Sequence, residues 1–418
     1  MHARELLVAV AVLAVVRDAR ASTLDLYGFG MRAPALAGTG VATANDYESV
    51  YANPAGLAEV TEKRATVGAV IADFRTKMDG DIVGDSSSGT VLGGVVPIPL
   101  EGWAEDRFAL GFGFYVPNQA LNRVRAPFPG VPQFALLENR THVIAIQFAV
   151  GVKLTEKLSV GAGVIVLAAL RGGIDVTTDA NQNFSADSEQ RLIAQFSPVL
   201  GARWKASSRL TYGLVARAPV RSDYDIVVTS DLGDALPLTL PEIRIAGTAQ
   251  YDPLIVAAEA AWRPSEKLLF VGHLAYHRWS AYPLPTKNPV PATPDQQPPG
   301  FKDRPVPRLA VEWMREVGPV TLSMRAGYAF MWSPAPEMKG QQSLLDNHRH
   351  VLSLGLGVML SKGPLPVRVD LFTQWHRLQK RTHVKDPELQ QEGEMPLFDR
   401  IGTSGNVFVA GAALGLDL

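Results

Sequence analysis

The chain has 418 residues, with 40 Lys and Arg against 41 Asp and Glu, so its formal net charge is −1. This balance gives no reason to expect a nucleic-acid partner, and the absence of cysteine excludes disulfides, thiolate catalysis and Cys-ligated metal centres. Charged residues make up only 19% of the chain and there are 37 glycines, a composition that fits many strands and turns better than helices.

The N-terminus has the pattern of an export signal. A short polar start precedes an eleven-residue apolar run, Leu6 to Val16, and Ala19-Arg20-Ala21 follows it. Small residues in an A-x-A pattern are typical of signal-peptidase cleavage, so we expect a signal peptide at residues 1–21. The alternative is an amphipathic or buried first helix. Because no later stretch reaches about 18 consecutive apolar residues, we do not expect a helical inner-membrane protein.

Residues 22–62 differ from the rest of the chain. They are rich in Gly and Ala and contain Asn53 followed by Pro54 and Ala55, which predicts a short helix with an Asn cap and Pro at its first position. A segment of roughly 40 residues is too short for a core of its own. We therefore expect it to act as a hatch, a small plug packed inside a larger domain.

Residues 63–418 repeat one pattern, in which apolar segments are separated alternately by short turns and long polar loops. Strict alternation of short and long connections is typical of an up-and-down transmembrane barrel, with the turns in the periplasm and the loops outside. The segments are 64–75, 89–99, 107–116, 140–153, 158–170, 190–203, 209–228, 240–262, 267–281, 304–316, 319–331, 347–361, 365–380 and 404–417.

Polarity also alternates along these segments. In 368–376 the residues Val369, Leu371 and Trp375 suit lipid, whereas Arg368 and Asp370 suit the interior. The prediction is an all-β fold, a 14-stranded antiparallel transmembrane barrel whose lumen is plugged by the hatch. The even strand count leaves no free edge. A pair of soluble β-sandwiches or a propeller is the alternative, although no repeat of fixed length favours a propeller.

Aromatic residues near the predicted strand ends indicate girdles at the two membrane interfaces. Ordinary scatter of aromatic residues is the alternative. The six residues in question are Tyr115, Trp204, Tyr251, Trp279, Tyr282 and Trp332.

Three motifs of the hatch resemble one known family. They are Gly28 to Arg32, then Ala37 to Ala42, then Tyr51-Ala52-Asn53-Pro54-Ala55-Gly56-Leu57. Together they resemble the hatch of the FadL-type outer-membrane transporters of long-chain fatty acids and aromatic hydrocarbons. The detailed likeness covers roughly residues 26–60, and the predicted fourteen strands agree with the family's count. One departure is the last residue, Leu418, because such barrels usually end in an aromatic residue that the assembly machinery reads.

The resemblance implies a monomer that transports hydrophobic compounds passively. Ligand would bind at the extracellular loops and then in the lumen beside the hatch, with Asn53, Pro54 and Ala55 at the gate. It would leave sideways near an inward kink of the third strand, where Gly111 and Gly113 permit a kink or bulge. The alternative is that these two glycines only relieve crowding.

The long loop at 117–139 is unusually apolar. Its residues Phe128, Phe134, Leu136 and Leu137 are candidates for a hydrophobic landing site on the outer surface. Packing of the loop upon itself explains the same composition.

Three functions compete at this point. A transporter of fatty acids, aromatic hydrocarbons or related molecules predicts an apolar lumen, whereas a structural or adhesive barrel predicts a lumen closed by charge pairs. A barrel lipid hydrolase predicts a Ser–His pair, for example Ser353 with His350. We favour transport in the outer membrane, in contact with its lipid and lipopolysaccharide.

No cofactor, no catalytic residue and no metal is expected, because His348 and His350 lack an evident third ligand.

Overall fold

A computed structural model describes residues 24–119, 131–137, 143–178, 184–231, 243–287, 298–338, 342–361, 365–385 and 398–418. The predicted signal peptide and Phe128 lie outside these ranges. The α-helices are α1 (Leu24–Tyr27), α2 (Arg32–Ala35) and α3 (Ser49–Ala52), and 3₁₀ turns occupy Pro54–Glu59, Gly102–Ala104 and Trp279–Ala281. None of the helices in the described ranges is long and apolar enough to cross a membrane.

Almost all other regular structure is β-sheet. The strands in chain order are β1 (Arg64–Met78), β2 (Asp81–Ile82), β3 (Ser87–Pro97), β4 (Phe108–Pro117), β5 (Ala145–Lys153), β6 (Leu158–Thr178), β7 (Phe184–Lys205), β8 (Leu210–Arg217), β9 (Val220–Asp231), β10 (Ile243–Asp252), β11 (Ile255–Ser265), β12 (Leu268–His277), β13 (Thr286–Lys287), β14 (Arg304–Val317), β15 (Val320–Met331), β16 (Arg349–Leu360), β17 (Val367–Val384) and β18 (Arg400–Asp417).

Fourteen of these strands form a closed antiparallel wall, as predicted. The order around the wall is β1, β3 to β8, β11, β12 and β14 to β18, and β18 pairs back onto β1 from Asp417 opposite Arg64 to Thr403 opposite Met78. Closure satisfies the backbone groups of every wall strand within the sheet, which is what allows strands to cross a bilayer.

Side chains alternate across this wall as the sequence predicts. In β17 Val369, Leu371 and Trp375 are exposed on the outer face, whereas Gln374 and His376 are buried. The inner face therefore carries polar side chains beside the apolar ones of the core, and the polar side chains need partners inside the barrel.

The seventh and eighth predicted segments each divide into two strands. The wall part β8 pairs with β7 up to Arg217, and after Ala218-Pro219 the chain continues as β9. β9 does not continue the pairing of β8 with β7. It pairs in parallel with residues 170–177 of β6, and β10 pairs with β9. The proline has no N–H to donate, which favours a break in the strand at this point. The β9–β10 arm is thus separate from the simple up-and-down wall.

The girdle prediction is wrong for four of its six aromatic residues. Tyr115, Tyr251, Trp279 and Tyr282 are buried. Tyr115 is on the inner face of β4, and Tyr251, near the end of β10, packs with Trp279 and Tyr282 of the segment after β12. Trp204 does lie on the outer surface, near the end of β7 that leads into a short turn.

The hatch lies inside the barrel. Its helix α2 contacts β15, β16 and β17, and its 3₁₀ turn at 54–59 contacts β4 to β7 on the opposite part of the wall. Nearly every hatch residue from 24 to 58 is buried. The hatch therefore spans the lumen from one part of the wall to another.

Candidate functional site

Asn53 joins the hatch to the barrel wall. Its side chain is fully buried, and Oδ1 accepts a hydrogen bond from the backbone N–H of Ala55 at 3.1 Å. Its Nδ2 donates to the carbonyl oxygen of Val41 within the hatch at 2.7 Å and to that of Ala202 in β7 at 3.0 Å. One amide thus caps the 3₁₀ turn, fixes a second hatch segment and contacts the wall.

Pro54 and Ala55 lie directly against wall glycines. A methyl group added at Gly161 would approach the backbone carbon of Pro54 to 2.3 Å, and one added at Gly201 would lie 1.8 Å from Asn53 Oδ1. Only glycine leaves the hatch backbone enough room at these positions. The predicted gate residues therefore form one packed contact with β6 and β7, and their role in gating stays a prediction.

Gly111 and Gly113 have the same relation to the hatch. A methyl group at Gly111 would overlap Val50 and Leu57, and one at Gly113 would overlap Phe29. The ladders of β4 with β3 and with β5 run through both glycines without a shift of register, so this described strand lacks the expected bulge. The two glycines admit hatch side chains, as the crowding alternative expects, and their part in an inward kink stays a prediction.

Glu48 holds the start of α2. Its carboxylate accepts backbone N–H bonds from Met31 at 2.6 Å, Arg32 at 2.7 Å and Ala33 at 2.8 Å. Burial, together with the neighbouring Asp46 carboxylate, raises the pKa of Glu48 to about 8, although the three N–H donors favour the charged form. A titratable carboxyl group, that of Glu48, therefore forms part of the hydrogen bonding that holds the hatch together.

We expect the hatch to loosen as the pH rises. An undocked Glu48 titrates near its ordinary pKa of 4.5 and the docked one near 8, so docking takes up a proton between these values and weakens as the pH rises through that window. Hydrogen exchange of the 31–33 amides, corrected for intrinsic rates, would measure this. The Glu48→Gln variant should lose the pH dependence. A slope equal to that of the wild type would contradict the assignment.

A second carboxylate fastens the middle of the hatch to β11. Glu259 accepts N–H bonds from Gly40 and Ala42 of the hatch, both at 2.9 Å. His273 Nδ1 lies 2.8 Å from Glu259, and Arg308 Nη1 lies 2.8 Å from His273 Nε2. Because a guanidinium only donates, His273 accepts at Nε2 and donates from Nδ1 to Glu259. The buried histidine is structural.

A third contact lies nearer the rim of short turns. Arg32 of the hatch donates to Glu312 of β14, with Nη2 2.6 Å and Nε 3.1 Å from the two carboxylate oxygens. Arg325 donates from Nε to Glu312 at 2.7 Å and from Nη1 to Asp370 at 2.5 Å. The hatch is thus latched to the wall by charge pairs, the feature that we associated with a non-transporting barrel.

The described residues beside α1 enclose a small cavity of about 30 Å³. Its lining includes Leu24, Phe29, Val41 and Val351, and it reaches Arg308 on the polar side. A cavity of this size is about right for a water molecule, so this cavity has no space for a fatty acid or an aromatic ring. Passage through the lumen requires the hatch or the loops to move.

The candidate landing residues are buried rather than exposed. Leu136 packs in a loop cluster made of Ala135, Leu136, Tyr251, Trp279, Tyr282, Phe301, Ala335 and Leu344. Phe134 and Leu137 join the main core of the hatch and the wall. These three residues are therefore covered by packing of the loops, and their part in capturing ligand stays a prediction. Phe128 lies outside the described residues.

The anchoring carboxylates Glu48, Glu259 and Glu312 were missed by the sequence reasoning. One signal was available in the sequence. Glu259 is the single charged residue in the run Ile255 to Trp262, and the alternation of the strand places it on the face that points into the barrel. A lone acid on the inner face of an apolar strand indicates a buried partner. No group of three or more His, Cys, Asp or Glu that could hold a metal exists among the described residues.

Comparison with known families gives one match over most of the chain. Residues 10–386 match the family described as "Outer membrane protein transport protein (OMPP1/FadL/TodX)". No curated protein sequence is detectably similar to the chain.

Solved structures share the fold at low sequence identity. A FadL homologue from Pseudomonas aeruginosa is 15% identical with a TM-score of 0.59, and the alignment covers 96% of this chain and 98% of the other. The toluene transporter TodX of P. putida is 13% identical with a TM-score of 0.56, covering 94% and 99%. The monoaromatic hydrocarbon channel CymD is 15% identical with the same TM-score and coverage. The matched family and the TodX and CymD structures are described as transport proteins or channels, not enzymes.

Proposed function

Because the chain belongs to the OMPP1/FadL/TodX family of outer membrane transport proteins, we propose that it carries hydrophobic compounds passively across the outer membrane. The observation that supports this most is the plugged lumen, in which a small cavity beside α1 is bordered by Leu24, Phe29, Val41 and Val351. Apolar walls favour apolar solutes over water, and the plug prevents free passage of polar ones.

The proposed path begins at the loop cluster around Leu136 and Trp279, where apolar residues converge from several loops. It continues to the cavity beside α1 and requires the hatch to shift before ligand leaves. Long-chain fatty acids and aromatic hydrocarbons are the candidate ligands. The hatch at 22–62, the barrel at 63–418, a cleaved signal peptide at 1–21 and a monomeric state are parts of the same proposal.

A structural or adhesive barrel is the second candidate, because Arg32, Glu312 and Arg325 close the lumen with ion pairs. The two functions differ in one respect that can be measured. A transporter binds hydrophobic ligand in the lumen, whereas a structural barrel does not.

We expect the purified full chain in a neutral detergent to bind a fluorescent long-chain fatty acid or an aromatic hydrocarbon saturably. Val351→Phe should fill the cavity that Val351 lines and weaken binding about tenfold, roughly 1.4 kcal/mol. The control is Leu352→Phe, since Leu352 lies next to it and is 47% exposed on the outer face. Heat-modifiable mobility on gels would verify folding.

No saturable binding of either ligand class by the folded wild type would favour the structural barrel. Equal binding by both variants would place the ligand elsewhere in the barrel. Binding that only Val351→Phe weakens supports transport through this lumen.

A further inference from the structure

A second cavity lies on the other side of the hatch, toward the rim of short turns, and has a volume of about 220 Å³. We call it the turn-side chamber. It lies between Thr43 and Asn45 of the hatch and the inner faces of β7, β11 and β14 to β17. Asn45 is exposed, so the chamber is within reach of solvent. Because short turns face the periplasm in barrels of this kind, the chamber is on the periplasmic side.

The chamber has an excess of positive charge. It is lined by the five arginines Arg32, Arg203, Arg263, Arg325 and Arg368 and by only two carboxylates, Glu312 and Asp370. Both carboxylates are already engaged, with Arg32 and Arg325. The other three guanidinium groups form no ion pair with a described residue.

These three arginines lack acidic partners within the described part of the chain. Arg263 makes no side-chain hydrogen bond there, and the Nε atoms of Arg203 and Arg368 are buried without a partner. Arg203 donates only from Nη1, to the carbonyl of Ala44 at 3.1 Å, and Arg368 has a single weak contact, 3.5 Å from Met359 Sδ. Buried donors without partners are costly, so the chamber is suited to an added acceptor.

Other acids of the neighbourhood are already held elsewhere. Glu59 forms an ion pair with Lys205, and Glu48 is enclosed by the hatch backbone. Asp46 accepts the N–H of Glu48 at 2.9 Å. Among the described residues, therefore, none of these acids forms an ion pair with Arg203, Arg263 or Arg368.

We propose that the turn-side chamber binds an oxyanion, a carboxylate or a phosphate, through Arg203, Arg263 and Arg368. Guanidinium groups present paired N–H donors that match such oxygens. Two sources could supply this chemistry, the head group of an amphiphile that has passed the hatch or a free anion of the periplasm. The proposal concerns binding and holds whether or not the apolar cavity carries ligand.

The test uses the full chain in a neutral detergent and isothermal titration with inorganic phosphate, octanoate and octanol. The double variant Arg263→Gln/Arg368→Gln removes two charges and leaves the hatch contact of Arg203 intact. We expect saturable binding of phosphate, of octanoate or of both, weakened about tenfold in the double variant. The control Arg315→Gln changes an exposed arginine near the same rim and should bind as the wild type does.

The comparison of octanoate with phosphate separates the two possible sources of the anion. Tighter binding of octanoate than of phosphate assigns the site to an amphiphile head group, and the reverse assigns it to a free anion. The proposal is overturned if the folded wild type binds neither anion, or if the double variant binds both unchanged. It is also overturned if octanol binds as octanoate does. Phosphate has no apolar tail, so its binding is independent of the transport proposal.

Discussion

Replacing Glu312 with glutamine is expected to weaken docking of the hatch by about 3 kcal/mol, which is roughly 100-fold in the docking equilibrium. Glu312 is 2% exposed and accepts from Arg32 of the hatch and from Arg325 of β15. A neutral amide leaves two largely buried guanidiniums without their shared counter-ion, and Arg32 then gains by moving into solvent. The hatch should open more often at its turn-side end.

Planar-bilayer conductance and hydrogen exchange of the hatch amides would measure this opening. Glu316→Gln is the matched control, because Glu316 is on the same strand but exposed at the rim. We expect a raised conductance and faster exchange for Glu312→Gln alone. Unchanged exchange in a correctly folded Glu312→Gln barrel would show that the ion pairs of Glu312 do not hold the hatch in place. If conductance rises while ligand binding persists, the ion pairs of Glu312 control the opening of the hatch and not the ligand site.

The second large effect is expected at Gly201. An alanine there would place its methyl carbon 1.8 Å from Asn53 Oδ1, so Asn53 would have to leave its site and lose its bonds to Val41 and Ala202. Loss of buried hydrogen bonds costs about 1–3 kcal/mol for each group left unsatisfied. We therefore expect Gly201→Ala to displace the 3₁₀ turn at 54–59.

A double-mutant cycle with Asn53→Ala tests the assigned contact. Since Asn53→Ala removes the clashing oxygen, Gly201→Ala should cost less in that background than alone, and the difference measures the coupling. Gly272→Ala is the control, because a methyl group at Gly272 in β12 would meet nothing within 4 Å. Purely additive effects on the thermal unfolding midpoint would contradict a direct contact between Asn53 and the wall at Gly201.

The sequence alone was sufficient for the fourteen-stranded wall, although it joined the strands β9 and β10 of the separate arm to two wall strands. Alternation with a period of two is a local property, so residues such as Val369 and Asp370 show which face they occupy without knowledge of the partner strand. The number of wall strands follows from counting such segments, and closure follows from the cost of a free edge in lipid. The hatch was equally visible, because residues 22–62 lack this alternation and are too few to fold alone.

The contacts that hold the hatch were decided by tertiary structure. Arg32 and Glu312 are separated by 280 positions, and Gly40 and Glu259 by 219, so no local pattern relates them. The pairing depends on how the strands are staggered around the wall and how deep the hatch lies in it. The surroundings of Gly111 were decided in the same way. A glycine in a strand permits a bulge or a close contact, and only the tertiary structure shows that Val50 and Leu57 lie against this one.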